Sequence, residues 1–153
     1  MKKNINVKIL DKKIGDTITF PHYGTEGSAG LDLRACLKNP VELKPNKKKL
    51  VSTGLAIHIA DKNLAGLILP RSGLSHHYGI FLGNTIGLID SDYQGELIIS
   101  LFNQSKKIFF IQPNERIAQI IFISIIHPKF NFVKNFLIHT KRNTQGFGHT
   151  GKI

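Results

Sequence analysis

The sequence is poor in cysteine, tryptophan and acidic residues, and these shortages exclude several classes of protein. Its only cysteine, Cys36, excludes a disulfide within the chain and a cysteine-rich zinc site. Because no run of about 18 apolar residues occurs, no transmembrane helix is expected. Asn4 and Asn6 interrupt the apolar stretch that a secretory signal would need. We therefore expect a cytoplasmic protein without a membrane partner.

The scarcity of acidic residues leaves a large positive charge. Ten acidic residues face 21 basic ones, so the net charge is +11 and the isoelectric point is near 9.9. Such a surplus favours anionic partners, either nucleic acid or phosphorylated small molecules. Only four basic residues are arginines, namely Arg34, Arg71, Arg116 and Arg142. Since lysine supplies plain charge elsewhere, each arginine is a candidate for forked binding of phosphate or carboxylate.

Helix signals are also scarce, and residues 72–78 are the best candidate. Most of the chain consists of short β-branched and aromatic runs separated by Gly, Pro, Asn and Asp. This pattern predicts an all-β antiparallel sandwich, barrel or jelly roll. We expect a core over 1–140 and a mobile C-terminal arm over 141–153. The predicted strands cover 7–10, 17–20, 31–35, 49–52, 56–59, 64–69, 80–82, 97–102, 108–111, 117–126 and 132–138.

Two polar segments suit a phosphate group. Pro70 ends a strand, and Arg71 and Ser72 then open the short helix, where free N–H groups attract anions. An equally good interpretation is a helix capped by Ser72 beside a solvent-exposed arginine. Gln119 lies among apolar residues, so its amide needs a partner, either a phosphate oxygen or the neighbouring backbone. Asp32 alternates with two leucines, which by itself indicates a surface ion pair with an arginine.

The segment 83–96 carries the acidic residues Asp90, Asp92 and Glu96. Its start resembles a calcium loop, but the twelfth position is Leu101 rather than glutamate, which excludes an EF-hand. A β-hairpin here would leave backbone N–H and C=O groups free to bond to the edge of a base, with Asn84 at the wall of that binding site. Asp90 is a candidate general base for water, although turns also use aspartate for purely structural reasons.

The last polar segment contains Phe147 between two glycines, with Arg142, His149 and Thr150 around it. A phenylalanine with no core to join can stack on a base while the polar groups surround a phosphate. The alternative is a disordered tail without a function.

Together the motifs AGLDLRA, PRSGLS, GLIDSDYQGE, ERIAQIIF and GFGHTG resemble the five ordered motifs of the trimeric dUTP pyrophosphatases. The resemblance covers nearly the whole chain. It implies a jelly-roll homotrimer with shared active sites and Mg²⁺-dependent hydrolysis of dUTP to dUMP and pyrophosphate. The fifth motif departs from the family pattern Arg-Gly-x-Gly-Gly, because Arg142 is followed by Asn143-Thr144-Gln145-Gly146.

The resemblance also implies roles for individual residues. Asp90 would activate the attacking water, and Asp32 would meet the water shell of a magnesium ion held mainly by the substrate phosphates. Tyr93 would pack under the deoxyribose. Residues of the hairpin would read uracil, namely Asn84, Leu88, Ile89 and Ile98. The phosphates would be bound by Arg71, Ser72, Gly73 and Gln119. The residues that close over the nucleotide from another subunit would be Arg142, Phe147, His149 and Thr150.

Two rival functions make different demands on the sequence. A deoxycytidine triphosphate deaminase of the same fold class would need a pocket for the cytosine amino group and a catalytic glutamate. A nucleic-acid-binding β-barrel would need aromatic residues interleaved with lysines on one face. The aromatic residues lie mainly in apolar runs such as Phe109-Phe110, while the lysines cluster in turns. We therefore expect dUTP as the partner and no nucleic acid.

Overall fold

A computed structural model of the chain describes residues 3–138, 140 and 142–146. Ten β-strands and one short α-helix make up the regular structure of this part, and all strand pairs are antiparallel. The elements in chain order are β1 Asn6–Ile9, β2 Leu31–Arg34, β3 Val41–Leu43, β4 Lys48–His58, β5 Leu64–Leu69, α1 Ser72–Tyr78, β6 Ile80–Leu82, β7 Gly87–Ile89, β8 Glu96–Asn103, β9 Phe109–Ile111 and β10 Arg116–Ser124. Within the described residues, no helix is long and apolar enough to cross a membrane.

Two four-stranded sheets form the sandwich, with strand orders β1-β4-β8-β6 and β2-β10-β5-β7, and β3 and β9 form a small third sheet. Strand β8 shows how the core is made. Its side chains alternate, so that Leu97, Ile99 and Leu101 are buried against the other sheet while Ile98 faces outward. Ile117 and Ile120 of β10, in the other sheet, are buried in the same core. The confirmed fold is thus the expected all-β jelly roll.

The long strand β4 bends at Gly54, where its pairing with β8 shifts between Ser52 and Ala56. Gly54 has φ +68°, and a methyl group there would lie 2.8 Å from the Cys36 sulfur. The Glu96 carboxylate accepts the Gly54 N–H at 2.9 Å and also the Ser52 hydroxyl. The bulge is therefore held by a side chain of the partner strand, and only glycine suits its central position.

Asn103 is a fully buried polar residue at one end of the sandwich. Its Nδ2 donates to the carbonyl oxygens of Leu43 at 2.9 Å and Lys107 at 2.8 Å. Its Oδ1 accepts the backbone N–H of Ser105 at 2.9 Å and the Ser105 hydroxyl at 2.8 Å. Since every polar atom of the side chain is paired, its burial ties three segments together without an unsatisfied group.

Several predicted elements are wrong in detail. Residues 17–20 form no strand, because Ile18 turns inward to a small cluster with Ile14, Cys36 and Leu55. The two predicted strands 49–52 and 56–59 are one strand, because Gly54 makes a bulge and not a break. Strand β3 was not predicted, and β7 was expected only as an unspecified part of the hairpin over 83–96.

The predicted strand 132–138 is absent from the described residues, and β10 ends at Ser124. The chain beyond β10 is exposed and carries large apolar side chains. Phe132, Phe136 and Leu137 are 94%, 86% and 98% exposed. A segment this apolar has a strand-like sequence, but within the described residues it pairs with none of the sheet edges.

Candidate active site

The ends of strands β2, β5 and β10 bring three of the polar motifs together. Asp32 of β2 lies opposite Gln119 of β10, and Gln119 lies opposite Leu69 of β5. The Arg71 Nε donates to Asp32 Oδ1 at 3.0 Å, and Arg116 Nη1 donates to Asp32 Oδ2 at 3.4 Å. Asp32 therefore pairs with two arginines from distant segments, and not with Arg34, the arginine that shares its face of β2. We call Asp32, Arg71, Arg116 and Gln119 the arginine cluster.

Gln119 fixes the start of the loop that carries Arg71. Its Nε2 donates to the Pro70 carbonyl at 3.0 Å, so of the two partners expected for this amide the neighbouring backbone is the one observed. A methyl group on Gly30 would lie 2.3 Å from Gln119 Oε1, which leaves glycine as the residue that fits beside this amide. The Gln119 amide is thus held between Gly30 and Pro70.

The start of α1 exposes the residues that follow Arg71. Arg71 occupies the N-cap position without a side-chain cap, and Ser72 and Gly73 are exposed. Within the described residues the Ser72 hydroxyl bonds to nothing, so the expected alternative of capping by Ser72 is wrong. A methyl group added at Gly73 would meet nothing within 4 Å, so the loop borders open space.

Two further residues enlarge this site beyond the sequence prediction. Arg34 Nη1 donates to the Asn114 carbonyl at 2.8 Å, and burial together with the neighbouring Arg116 lowers the pKa of its guanidinium. Burial raises the pKa of the Glu115 carboxyl, whose Oε2 accepts the Gln112 N–H at 2.8 Å. The scarcity of arginine drew attention to Arg34 and Arg116, but the register of β2 against β10 was needed to place them together.

A cleft of about 380 Å³ borders the arginine cluster. Its wall carries three guanidinium groups against one carboxylate, which makes it a suitable place for an anion. The lining residues include Arg34, Arg71, Gly73, His77, Glu115 and Arg116.

The predicted uracil-reading hairpin has an unexpected construction. Its two strands lie in different sheets, since β7 pairs with β5 and β8 pairs with β4 and β6. In the described part of the chain, the outer edge of β7 has no strand partner. The two strands therefore splay apart, and Leu88 and Ile98 are 62% and 50% exposed. Ile89 is half-buried beside them, and Asn84 is exposed in the turn before β7.

Tyr93 is fixed between the two strands by its own turn. Its Oη donates to the Glu96 carbonyl at 3.0 Å, and a methyl group on Gly95 would lie 2.4 Å from the Tyr93 oxygen. The ring therefore packs directly on Gly95, with 42% of the residue exposed. This geometry presents one face of the ring to a ligand.

Asp90 lies far from the arginine cluster within one chain. It follows Ile89, which pairs with Gly66, whereas Arg71 lies beyond the other end of β5. Five residues of extended chain separate Gly66 from Arg71, or about 17 Å at the strand rise of 3.3 Å per residue. Within one chain, Asp90 is therefore not next to the loop that carries Arg71, and its catalytic role stays a prediction.

The C-terminal site residues are only partly described. Arg142 is exposed, and its Nε donates to the Gln145 carbonyl at 3.1 Å. The predicted site residues Phe147, His149 and Thr150 lie outside the described residues. Among the residues that are described, no group of three or more His, Cys, Asp or Glu side chains is placed to hold a metal.

The fold and the two groups of polar residues define an antiparallel β-sandwich protein with an arginine-lined cleft and, apart from it, the splayed strands β7 and β8. Comparison with known sequences makes the class specific. A sequence model of the dUTPase family matches residues 16–151, which is most of the chain. The chain belongs to the dUTPase family.

Two relatives show how far the similarity extends. The chain is 59% identical over 151 residues to the deoxyuridine 5′-triphosphate nucleotidohydrolase of Baumannia cicadellinicola, with 99% of both chains covered. It is 57% identical over 152 residues to the protein of the same name from Escherichia coli, again with 99% of both covered.

Solved structures agree with the fold. The dUTPase of Staphylococcus bacteriophage 80alpha, in complex with dUPNHPP, has a TM-score of 0.85 and 25% identity over 98% of this chain and 99% of that one. A mutant dUTPase from phage phi11 of S. aureus, described with a structural Mg(II) ion, has a TM-score of 0.77 and 21% identity, with 89% of this chain and 100% of that one covered.

Proposed function

We propose that this chain hydrolyses dUTP to dUMP and pyrophosphate, and so supplies dUMP for thymidylate synthesis and keeps uracil out of DNA. The observation that carries this proposal is the arginine cluster. Arg71 reaches Asp32 over 39 positions of sequence, and Gln119 reaches Pro70 over 49. Three of the five family motifs thus meet at one end of the sandwich.

The arginine cluster supplies what a triphosphate needs. The exposed Ser72 hydroxyl and the open Gly73 backbone can donate to phosphate oxygens beside the Arg71 guanidinium. Gln119 can turn its amide from the Pro70 carbonyl to a phosphate oxygen without leaving its strand. Positive groups arranged before the substrate arrives stabilise charge that builds up on the leaving group.

The donor set also suits magnesium. Mg²⁺ typically binds proteins through one or two carboxylates together with substrate phosphates, and keeps several of its waters. Asp32 offers one half-buried carboxylate beside the phosphate loop, which suits a contact through the water shell. A magnesium ion held mainly by the phosphates would offset charge on the pyrophosphate leaving group.

The splayed strands β7 and β8 account for base recognition in this proposal. Free backbone groups of Leu88, Ile89 and Ile98, with the Asn84 amide, form the edge that reads uracil. A site made of fixed donors and acceptors rejects a base with the wrong pattern, and a narrow one rejects the 5-methyl group of thymine. Tyr93 on Gly95 packs under the deoxyribose and leaves no space for a 2′-hydroxyl.

Asp90 acts in the chemical step. Its carboxylate takes a proton from a water molecule, and the oxygen of that water forms a bond to the α-phosphorus. The bond from the α-phosphorus to the bridging oxygen breaks, and its electrons leave with pyrophosphate. The exposed position of Asp90 at the end of β7 leaves it open to water and substrate.

The separation of Asp90 and Arg71 within one chain supports the proposal of a homotrimer with shared active sites. Ile89, which precedes Asp90, pairs with Gly66, about 17 Å along β5 from Arg71, so one site that uses both residues would draw them from two chains. The exposed apolar residues 130–138 supply a segment that needs a second chain to cover it. The arm with Arg142, Phe147, His149 and Thr150 then closes over the nucleotide from a third chain.

One assay tests the proposal. The protein is incubated with Mg²⁺ and, in turn, with dUTP, dTTP, dCTP and UTP, and pyrophosphate and ammonia are both measured. We expect pyrophosphate from dUTP alone. Ammonia from dCTP would instead indicate a deaminase, and comparable turnover of UTP or dCTP would contradict the assigned specificity. We also propose a cytoplasmic location, which suits a sequence whose one cysteine, Cys36, is a free thiol.

A further inference from the structure

A second cleft lies between the end of α1 and the turn after β8, next to the cleft at the arginine cluster, and His77 and Tyr78 line both. It has a volume of about 540 Å³, and its lining includes His77, Tyr78, Ser105, Lys106, Lys107 and Phe109. Gly79 ends α1 with φ +67°, and Gln104 donates its N–H to the Gly79 carbonyl at 2.9 Å. Both walls of this cleft, which we call the lysine groove, are thus joined by backbone hydrogen bonds.

Lysines are concentrated around this groove. Buried Asn103 bonds to the Lys107 carbonyl through its side chain and to the Lys47 carbonyl through its backbone N–H at 3.1 Å. The turns that carry Lys47 and Lys107 are therefore held at the same end of the sandwich. Lys48 lies on that end too, since it pairs with Phe102 at the end of β8.

The charges of these lysines are not compensated. Within the described residues, Lys47, Lys48, Lys106 and Lys107 form no ion pair, and all four are exposed. The nearby acid Glu42 pairs with Lys44 at 3.6 Å. A surface that concentrates unpaired lysines attracts a chain of phosphates more strongly than a single one.

Aromatic rings line the same groove as Lys106 and Lys107. Tyr78 is 56% exposed and packs against Phe109 with ring centroids 5.5 Å apart, while the His77 ring lies 6.3 Å from Tyr78. Single-stranded nucleic acid is bound by this combination of a basic groove that follows the backbone and rings on which bases stack. The sequence alone placed these aromatic residues in apolar runs and the lysines in separate turns, so the combination is visible only in the fold.

We propose that the lysine groove binds single-stranded nucleic acid without sequence preference, through stacking on Tyr78 and phosphate contacts to Lys106 and Lys107. This activity is independent of dUTP hydrolysis. A duplex is a poorer fit, because its bases are already stacked and are not available to Tyr78.

Fluorescence anisotropy of a labelled 20-nucleotide oligo-dT tests the proposal with the full-length protein at 50–200 mM salt. Neutralising the groove with Lys106→Gln and Lys107→Gln should weaken binding. It should also reduce the slope of log K against log salt by about 1.4, since each phosphate contact on a single strand contributes about 0.7. The matched control is Lys8→Gln with Lys12→Gln, which has the same net charge. Lys8 pairs with Ala56, toward the other end of β4 from Lys48, so this control should bind as the unmodified protein does.

A second variant separates stacking from charge. Tyr78→Leu should weaken binding roughly 5- to 100-fold while the salt slope stays the same. Saturating dUPNHPP should leave oligo-dT binding unchanged, because Lys106, Lys107 and Phe109 line the groove and not the cleft at the arginine cluster. The Lys106→Gln, Lys107→Gln variant should keep its dUTP hydrolysis.

Four results would overturn the proposal. They are absence of oligo-dT binding at 50 mM salt, equal weakening by the groove and control variants, displacement of the oligonucleotide by dUPNHPP, and binding to anionic phosphatidylserine vesicles without binding to oligo-dT. Failure here would leave dUTP hydrolysis untouched, so the two functions are tested separately.

Discussion

Gly30 and Gln119 lie so close across neighbouring strands that one added methyl group would meet the Gln119 amide oxygen at 2.3 Å. Gln119 in turn donates to the Pro70 carbonyl, just before Arg71. The position of the loop that carries Arg71 therefore depends on Gly30, which lies outside that loop.

Gly30→Ala should displace the Gln119 amide and break its bond to Pro70. The displaced amide would also lose its proposed bond to a phosphate oxygen. Since a hydrogen bond to a charged group contributes about 1.5–3 kcal/mol, we expect kcat/KM for dUTP to fall roughly 10- to 150-fold. Gly27→Ala is the matched control, because a methyl group there meets nothing within 4 Å. Steady-state kinetics of both variants decide the point, and equal activity would show that Gln119 does not position the loop.

Gly95→Ala should push the Tyr93 ring out of its place, since the methyl group would lie 2.4 Å from the Tyr93 oxygen. Displacement of the ring should relax the selection against a 2′-hydroxyl, so the ratio of dUTP to UTP turnover should fall. Tyr93→Phe keeps the ring and loses only the bond to the Glu96 carbonyl, so it should retain most of that ratio. An unchanged ratio in Gly95→Ala would contradict the role of Tyr93.

Asp90→Asn should bind dUTP and lose turnover, because the amide cannot accept the proton of the attacking water. Loss of a general base typically costs about 10²- to 10⁴-fold in rate. Asp92→Asn is the control, an exposed carboxylate in the same turn. Binding is followed by calorimetry and turnover by pyrophosphate release. An active Asp90→Asn protein would require a different base.

Asn103→Ala should destabilise the fold. The buried carbonyls of Leu43 and Lys107 would lose their donor, and each buried group left unpaired costs about 1–3 kcal/mol. Thermal unfolding should show a lower melting temperature, with dUTP turnover at 20 °C little affected because Asn103 is not in the site. An unchanged melting temperature would mean that water replaces the amide.

Truncation after Lys141 should leave a folded trimer with a nearly unchanged melting temperature and strongly reduced turnover. The described part of this segment, 142–146, is exposed and packs on no core. Closure over a substrate excludes water and positions reacting groups, so its loss affects the chemical step. Light scattering, thermal unfolding and pyrophosphate release are measured on the same sample. A fully active truncated protein would show that the arm has no role, and a monomer would show that it holds the subunits together.

Sequence patterns predicted the elements whose residues agree locally with their structure. The strand 64–69 and the helix 72–78 have the predicted bounds, since each ends at a turn residue, Pro70 or Gly79. Patterns failed where a distant partner decides. Gly54 continues a strand because the Glu96 carboxylate holds its N–H, and no local signal shows that partner.

The site was predictable as a set of residues and not as an arrangement. Asp32, Arg71 and Gln119 stand in motifs that sequence identifies, and the structure brings them together. Their separation from Asp90 depends on which strand β7 pairs with, and the sequence had suggested pairing within its own hairpin. Arg34 joins the cluster through the antiparallel register of β2 and β10.

The separation of Asp90, which lies beside the start of β5, from Arg71, which lies beyond its end, determines how damage to one chain spreads through an assembly. In a trimer with shared sites, each chain lends its base-reading half to one site and its phosphate-binding half to another. A chain defective in both halves therefore silences two of the three sites when it assembles with two intact chains. If each site lay within one chain, the same defect would silence only one. With shared sites, the fraction of active sites that is lost is therefore larger than the fraction of chains that is damaged.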